Sequence, residues 1–270
     1  MVNKDTQLCI SVASRPSNFG TTLHNTAYAA LDLNFVYKAF GISDLAGALT
    51  GVRALNIRGC SVSMPFKEAA LPLVDELDET ARLIGAVNTI VNDAGRLRGY
   101  NTDAFGARKA LDSIRADPGD SVLLVGAGGV ARAIVFALRQ MGFGQVQVSN
   151  RDLKKIQGLD SILPCKVVPW NERHNARADL LINATSVGMS PDIDQSLMEA
   201  RFLHQARAVM DVAVSPTESC LIKLARSMGK DVVPGYFMSL EQAIEQFRLY
   251  TGEAAPRDIM EQSLKHLLDN

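Results

Sequence analysis

Long apolar runs are missing from this 270-residue chain. None approaches the ~18 consecutive apolar residues that suggest a membrane helix, so no membrane span is expected. Cysteine is scarce and scattered: Cys9, Cys60, Cys165 and Cys220 form no CxxC pair, which argues against a zinc ribbon or a redox dithiol. They read as reduced, mostly buried thiols of a cytoplasmic protein. The four histidines, His24, His174, His204 and His266, lack zinc-ligand spacing, so no metal site is expected. No basic tract occurs and the formal net charge is −1, which speaks against nucleic acid as a partner. The opening MVNKDTQLCISV has neither the long apolar region nor the cleavage site of a secretory signal, in keeping with a cytoplasmic location. Oligomeric state leaves no mark on the sequence.

What is present points to a two-domain α/β protein. Hydrophobic residues make up 47% of the chain, enough for sizeable cores, and domains commonly run to about 100–200 residues. Residues 121–151, SVLLVGAGGVARAIVFALRQMGFGQVQVSNR, contain an apolar run ending in glycines, a helix-periodic segment, and a second apolar run closing on Asn-Arg. Gly126 and Gly128, with Ala131 in third place, fit G-x-G-x-x-G/A between a strand and a helix. Gly126 permits the tight turn, Gly128 lets the backbone approach a pyrophosphate, and Ala131 is small enough for helix–sheet packing. The loop residues Ala127, Gly129 and Val130 complete the cradle at the helix start. The plain alternative is a strand–helix turn with no ligand.

Around this unit, β and α segments alternate, which implies a mostly parallel sheet covered by helices. Strands are predicted over residues 8–12, 35–40, 59–62, 88–92 and 96–100, with a turn at 92–95. Helices are predicted over 24–31 after a loop through 15–22, then 45–54, 65–73, 76–84 and 101–114. Later strands fall at 166–168, 180–183, 208–211 and 231–233, with helices near 153–159 and 218–228 and helical sequence from 238 to 269. The expected division is a substrate-binding catalytic domain of residues 1–103 and 238–270 and a Rossmann domain of residues 104–237, the final helices returning to the first domain.

The motifs, taken in order, are Val62-Ser63-Met64-Pro65-Phe66-Lys67, Gly85-Ala86-Val87-Asn88-Thr89 and Asn101-Thr102-Asp103. The glycine loop and Asn150-Arg151 follow, then Asn183-Ala184-Thr185-Ser186-Val187-Gly188-Met189, Asp211, Pro216 and residues 235–242. With this set in this order, nearly the whole chain resembles the shikimate dehydrogenase family. The resemblance implies reversible reduction of 3-dehydroshikimate, a cyclic polyol acid, to shikimate by NADPH, in the route to aromatic amino acids through chorismate.

Hydride transfer to a ketone leaves charge on oxygen, and a cationic Lys67 would stabilise and protonate it. Asp103 matches the family's partner to that lysine and would favour its charged form. Standing alone, Lys67 reads as a solvated lysine and Asp103 as a helix N-cap. By the same resemblance Ser63, Asn88 and Gln242 bind substrate, although such residues commonly serve turns and caps. Asn150 and Arg151 follow the second strand of the nucleotide unit, where a guanidinium would meet a 2′-phosphate; Lys155 is the family's second basic position. Asp152 stands where many NADP-linked members carry Thr, and its charge would oppose a phosphate. NADP is therefore favoured, with NAD as the alternative. Residues 183–189, with Thr185, Ser186, Val187, Gly188 and Met189, match the loop on the nicotinamide side, as do Val212, Gly235 and Met238. Isolated methionines are more often core filler.

The sequence departs from the family twice. Members carry Ser-x-Ser-Pro shortly before His-Asn, both serines binding the substrate carboxylate; here Asn18-Phe19-Gly20-Thr21 precedes His24-Asn25, leaving Asn18 and Thr21 or Thr22 as donors. Many members end the Asp211 segment in Tyr, where this chain has Val214. Lost hydrogen bonds to a polar substrate reduce affinity or specificity. A divergent branch is expected, with quinate or aminoshikimate as alternative substrates and a non-catalytic NADP(H)-binding regulator as the alternative of another class.

Overall fold

The computed structural model describes residues 2–269. Two compact units divide the chain, one from residues 2–102 with 242–268 and the other from 103–241. The chain passes between them inside two helices, α4 (Thr102–Ser113) and α9 (Gly235–Thr251).

The first unit holds β1 (Gln7–Ala13), β2 (Phe35–Gly41), β3 (Gly59–Val62), β4 (Glu76–Leu77), β5 (Thr89–Asp93) and β6 (Arg96–Tyr100). They form one sheet in the order β2-β1-β3-β5-β6-β4, in which β5 alone runs against its neighbours. Helices α1 (Phe19–Ala30), α2 (Leu45–Ala54), α3 (Glu79–Ile84) and α10 (Arg257–Asp269) belong to the same unit. β1 and β3 are apolar along most of their length because both faces are covered. Ile10, Val12 and Val62 share one core with Leu45, Leu49 and Val52 of α2 and with Ile90 and Leu97. A second, aromatic cluster gathers around His24, whose ring stacks on Tyr37 at 4.5 Å and lies near Tyr28, Phe247 and Tyr250.

Three expectations for this unit need correction. α1 begins at Phe19, not near residue 24, so Thr22 is helical rather than in a loop. Its Thr22 N–H already donates to Asn18 O at 2.8 Å. Gly20 and two threonines weaken the local propensity, but the buried stripe Leu23, His24, Ala27 and Tyr28 supplies the tertiary packing that decides helix formation. No α-helix follows Pro65: residues 64–70 are a run of turns ending in one 3₁₀ turn, Leu71–Leu73. The Lys67 carbonyl accepts from Val87 N–H at 2.8 Å, diverting it from the helical ladder, and Pro72 has no N–H to offer. Residues 76–84 split into a two-residue strand and a helix. The split falls at Asp78, whose carboxylate accepts from Thr80 and Ala81 N–H and caps α3. All four cysteines are free, but only Cys9 and Cys60 are buried; Cys165 and Cys220 are half-buried.

The second unit holds β7 (Val122–Val125), α5 (Gly129–Met141), β8 (Val146–Ser149), α6 (Leu153–Asp160), β9 (Lys166–Val167) and β10 (Leu180–Asn183). It continues through α7 (Ala200–Leu203), β11 (Ala208–Asp211), α8 (Cys220–Ser227) and β12 (Asp231–Val233). All its strands are parallel, in the order β9-β8-β7-β10-β11-β12. Counted from β7, that is the Rossmann order 3-2-1-4-5-6, with its switch point between β7 and β10. β7, β10 and β11 are buried at every residue. Leu123, Leu181 and Val209 pack on Phe202, Leu221 and Ile222, each side chain worth roughly 1.5–3 kcal/mol on burial. Among the described residues no helix is long and apolar enough to cross a membrane, and no His, Cys, Asp and Glu group could hold a metal ion.

Candidate active site

In the first unit, strand register brings polar side chains into one row. Ser11 of β1 pairs with Ser61 of β3, which pairs with Thr89 of β5. Gln246 of α9 reaches across this row, its Nε2 donating to Thr89 Oγ1 at 2.9 Å and to Ser61 Oγ at 3.2 Å. Beside it the Asn88 side chain, 2% exposed, accepts from Thr102 N–H and from the Thr89 hydroxyl, both at 2.8 Å, and donates to Gln242 Oε1 at 3.1 Å. Asn88 thus joins β5, the start of α4, and α9.

These groups form the floor of a cavity of about 150 Å³. Such a volume suits a single small ring rather than a drug-sized ligand of roughly 300–1,000 Å³. Ser63, Lys67, Asn88, Gln242 and Gln246 line it together with Tyr37, Arg15, Ser17 and Gly20. Lys67 is half-buried there. No Asp or Glu lines the wall, which carries two cations, Arg15 and Lys67. Burial raises the Tyr37 hydroxyl well above its ordinary range, while hydrogen bonds with Ser11 and Ser61 oppose that rise. The phenol is therefore a neutral donor at any working pH.

In the second unit, Val125, Ser149, Asn183 and Asp211 stand side by side at the carboxyl ends of β7, β8, β10 and β11. Gly126 has φ +112°, and a Cβ there would meet Ala184 O at 2.7 Å, so glycine is required twice over. Around Gly128 and Gly129, by contrast, an added Cβ would meet nothing. Gly128 stands at the N-cap of α5 without a side-chain cap, and Ala131 is fully buried against the sheet. Asn183 shapes its loop by accepting from Thr185 N–H at 2.9 Å and donating to Val187 O at 3.1 Å and Asp211 Oδ1 at 2.9 Å. Desolvation lifts buried Asp211 to about 6, against the pull of hydrogen bonds from Ser219, Ala213 and Asn183. Gly235 packs on the backbone of Val212 and Ala213, where a Cβ would have no room.

The sequence and the fold both resemble those of known proteins. Residues 18–90 match the shikimate dehydrogenase substrate binding domain, 107–229 the shikimate / quinate 5-dehydrogenase family, and 235–265 the shikimate 5′-dehydrogenase C-terminal domain. A shikimate dehydrogenase-like protein of Haemophilus influenzae is 44% identical over 254 residues, 93% of each chain. The chain belongs to the shikimate dehydrogenase family. A shikimate dehydrogenase (NADP(+)) of Desulforamulus reducens is 36% identical, covering 96% of this chain and 94% of the relative. The crystal structure of the Thermus thermophilus shikimate 5-dehydrogenase in complex with NADP(H) and shikimate superposes with a TM-score of 0.86 at 32% identity. That match covers 97% of this chain and all of the other.

A nicotinamide dinucleotide, the cofactor of such dehydrogenases, fits the second unit. Gly128 and Gly129 keep a cradle clear of side chains, and the uncapped start of α5 offers its N–H groups to a pyrophosphate. Arg151 follows β8, exposed, with its guanidinium 5.9 Å from the Trp170 ring; Arg173 lies over the same ring at 4.0 Å. The Asp152 carboxylate, expected to oppose a phosphate, accepts from Lys154 N–H at 3.0 Å as the cap of α6, and the Asn150 side chain donates to Asp152 O. Lys155 is exposed on that helix. Met189 is half-buried, and Met238 is core, 5% exposed.

Other expected residues are placed differently from the family pattern. Asn18 and Thr22 are not part of the cavity wall, whose β1–α1 stretch is Arg15, Pro16, Ser17, Phe19 and Gly20. A Cβ at Gly20 would meet the Tyr37 hydroxyl and ring edge at 3.0 Å, so the tyrosine fills the space of the missing serine side chain. Asp103, buried, lies in the first turn of α4, which starts one residue earlier, so it is not the N-cap. Sequence reasoning missed Gln246, although it stands four residues after Gln242 on one helix face. It also missed Ser11 and Ser61, whose signal was a hydroxyl inside apolar strands, and Tyr37, Arg15, Trp170 and Arg173. Burial pushes the Cys9 and Cys60 thiols up to about 12 and Cys165 to about 11, which keeps these three protonated.

Proposed function

We propose that the chain is an NADP-dependent oxidoreductase that interconverts shikimate and 3-dehydroshikimate, with Lys67 and Asp103 as its acid–base pair. The observation that carries this reading is Lys67 on the wall of a small cavity that also presents the hydroxyls and amides of Ser63, Asn88 and Gln242. In the oxidative direction a ring hydroxyl gives its proton to the unprotonated Lys67 Nζ as its carbon loses hydride. In reduction the ammonium returns that proton to the oxygen. Asp103 would orient the ammonium. NADP⁺, when bound, supplies the hydride acceptor. The loop 126–131, with residues 185–189, Val212, Gly235 and Met238, would hold the dinucleotide, and Arg151 with Lys155 its 2′-phosphate, favouring NADP over NAD. Ser63, Asn88 and Gln242 would hold substrate hydroxyls. Four free thiols support a cytoplasmic setting.

The test is a panel of shikimate, quinate and aminoshikimate with each cofactor, read at the reduced-nicotinamide absorbance band. Shikimate with NADP⁺ should give the highest kcat/KM, and Lys67→Ala should lower kcat by about 10²–10⁴-fold while sparing NADP⁺ affinity. A clear preference for quinate or aminoshikimate would replace the substrate, a reading favoured by Gly20 and Val214. No turnover with any pair, or full turnover by Lys67→Ala, would overturn the mechanism.

A further inference from the structure

The cavity's charge is unbalanced, and the imbalance has a position. Of its two cations, Lys67 is assigned above to the reacting oxygen, which leaves Arg15. Arg15 sits in the short connection between β1 and α1, and its base is fixed on both sides. Ser14 N–H donates to Met64 O, and the ring of Pro16 lies within 3.3 Å of the Cβ position at Gly41. Its guanidinium makes no hydrogen bond or ion pair among the described residues, and no carboxylate lines the cavity to neutralise it. The neighbouring wall is Phe19 and Gly20, the first two residues of α1, where the helix carries partial positive charge. The Tyr37 phenol, neutral and placed behind Gly20, completes a group of donors on this side.

We infer that Arg15 is a specificity-determining residue that holds the carboxylate of the cyclic polyol acid. This rests on the reading of the cavity as the substrate site. A guanidinium offers a planar pair of N–H donors matched to a carboxylate, so one arginine replaces several neutral hydroxyl donors. The remaining wall is neutral and selects for ring hydroxyls. A neutral analogue of the same shape is therefore held less well than the acid.

Calorimetric titration of wild-type protein, Arg15→Gln and Arg15→Lys with shikimate and with its methyl ester tests this, beside the kinetics of each. Arg15 is exposed and bonded to nothing described, so the fold does not depend on it. Arg15→Gln should weaken binding of the acid, and raise its KM, about 10- to 100-fold while leaving the ester within twofold. kcat and NADP⁺ affinity should stay near wild type, and Arg15→Lys should recover part of the loss. Equal losses for acid and ester, or none for the acid, would overturn the assignment while leaving the proposed reaction intact. Tight binding of the acid without turnover would sink the reaction alone, with the Arg15 comparison still decided by calorimetry. Wild-type protein that binds neither ligand would sink both.

Discussion

Two glycines two residues apart do unlike work. Gly126 is fixed by the fold: its φ of +112° and the Ala184 carbonyl exclude any side chain. Gly128 is not, since its Cβ position is open. Gly126→Ala should therefore destabilise the protein, by at least the roughly 1–3 kcal/mol of a residue forced out of its backbone preference. Gly128→Ala should leave urea unfolding unchanged yet weaken NADP⁺ binding at least about tenfold, by placing a methyl where the pyrophosphate approaches. Calorimetry and urea melts on both variants separate the two roles; a Gly128→Ala protein with wild-type NADP⁺ affinity would refute the cradle.

Between residues and the whole lie the elements, and their ends show what short-range signals decide. Asp78 divides a segment that the apolar pattern alone would leave as one helix. Asp78→Ala should cost about 1 kcal/mol in thermal or urea unfolding, the usual worth of an N-cap, without altering KM for either substrate; an unchanged stability would contradict the cap. Strands β10 and β11 were legible residue for residue because buried parallel strands are short apolar runs bounded by polar residues. The start of α1 was not, because Gly20-Thr21-Thr22 has the composition of a loop and the packing that overrides it lies far off in sequence. Of the substrate-side residues that family resemblance names, Ser63, Lys67, Asn88 and Gln242 lie on the cavity wall, and Asn18 and Thr22 do not. Arg15 and Tyr37, also on that wall, were not legible, because neither belongs to a motif that the family pattern names.

At the scale of the molecule, two buried groups oppose one another in acid. Desolvation holds His24, wholly buried in its aromatic cluster, at about 4. The unfolded chain takes up that proton near 6.5, so stability falls as pH drops from about 6.5 toward 4, by roughly 3 kcal/mol in all. Asp211, raised to about 6, acts with the opposite sign: its folded form binds a proton first, so stability rises as pH falls from about 6 toward 4. The two offset across that window. Paired carboxylates such as Asp120 and Asp179, held below their usual range by Arg207 and Ser121, lose their contribution only in stronger acid. His24→Phe should keep the ring stack and remove one half of the balance. Urea unfolding should then show a protein about 2–3 kcal/mol more stable at pH 4.5 than at pH 6.5, relative to wild type; parallel pH profiles would dismiss the argument.

Gln242 and Gln246 reach the site from near the carboxyl end, whereas Ser11, Tyr37 and Ser61 come from the opposite end. During synthesis the chain therefore emerges with most of the pocket's wall long before its closing face. A nascent or prematurely terminated polypeptide that stops short of α9 leaves Asn88, Thr89 and Ser61 without their amide partners, so competence to take up a ligand arrives only once α9 has been made.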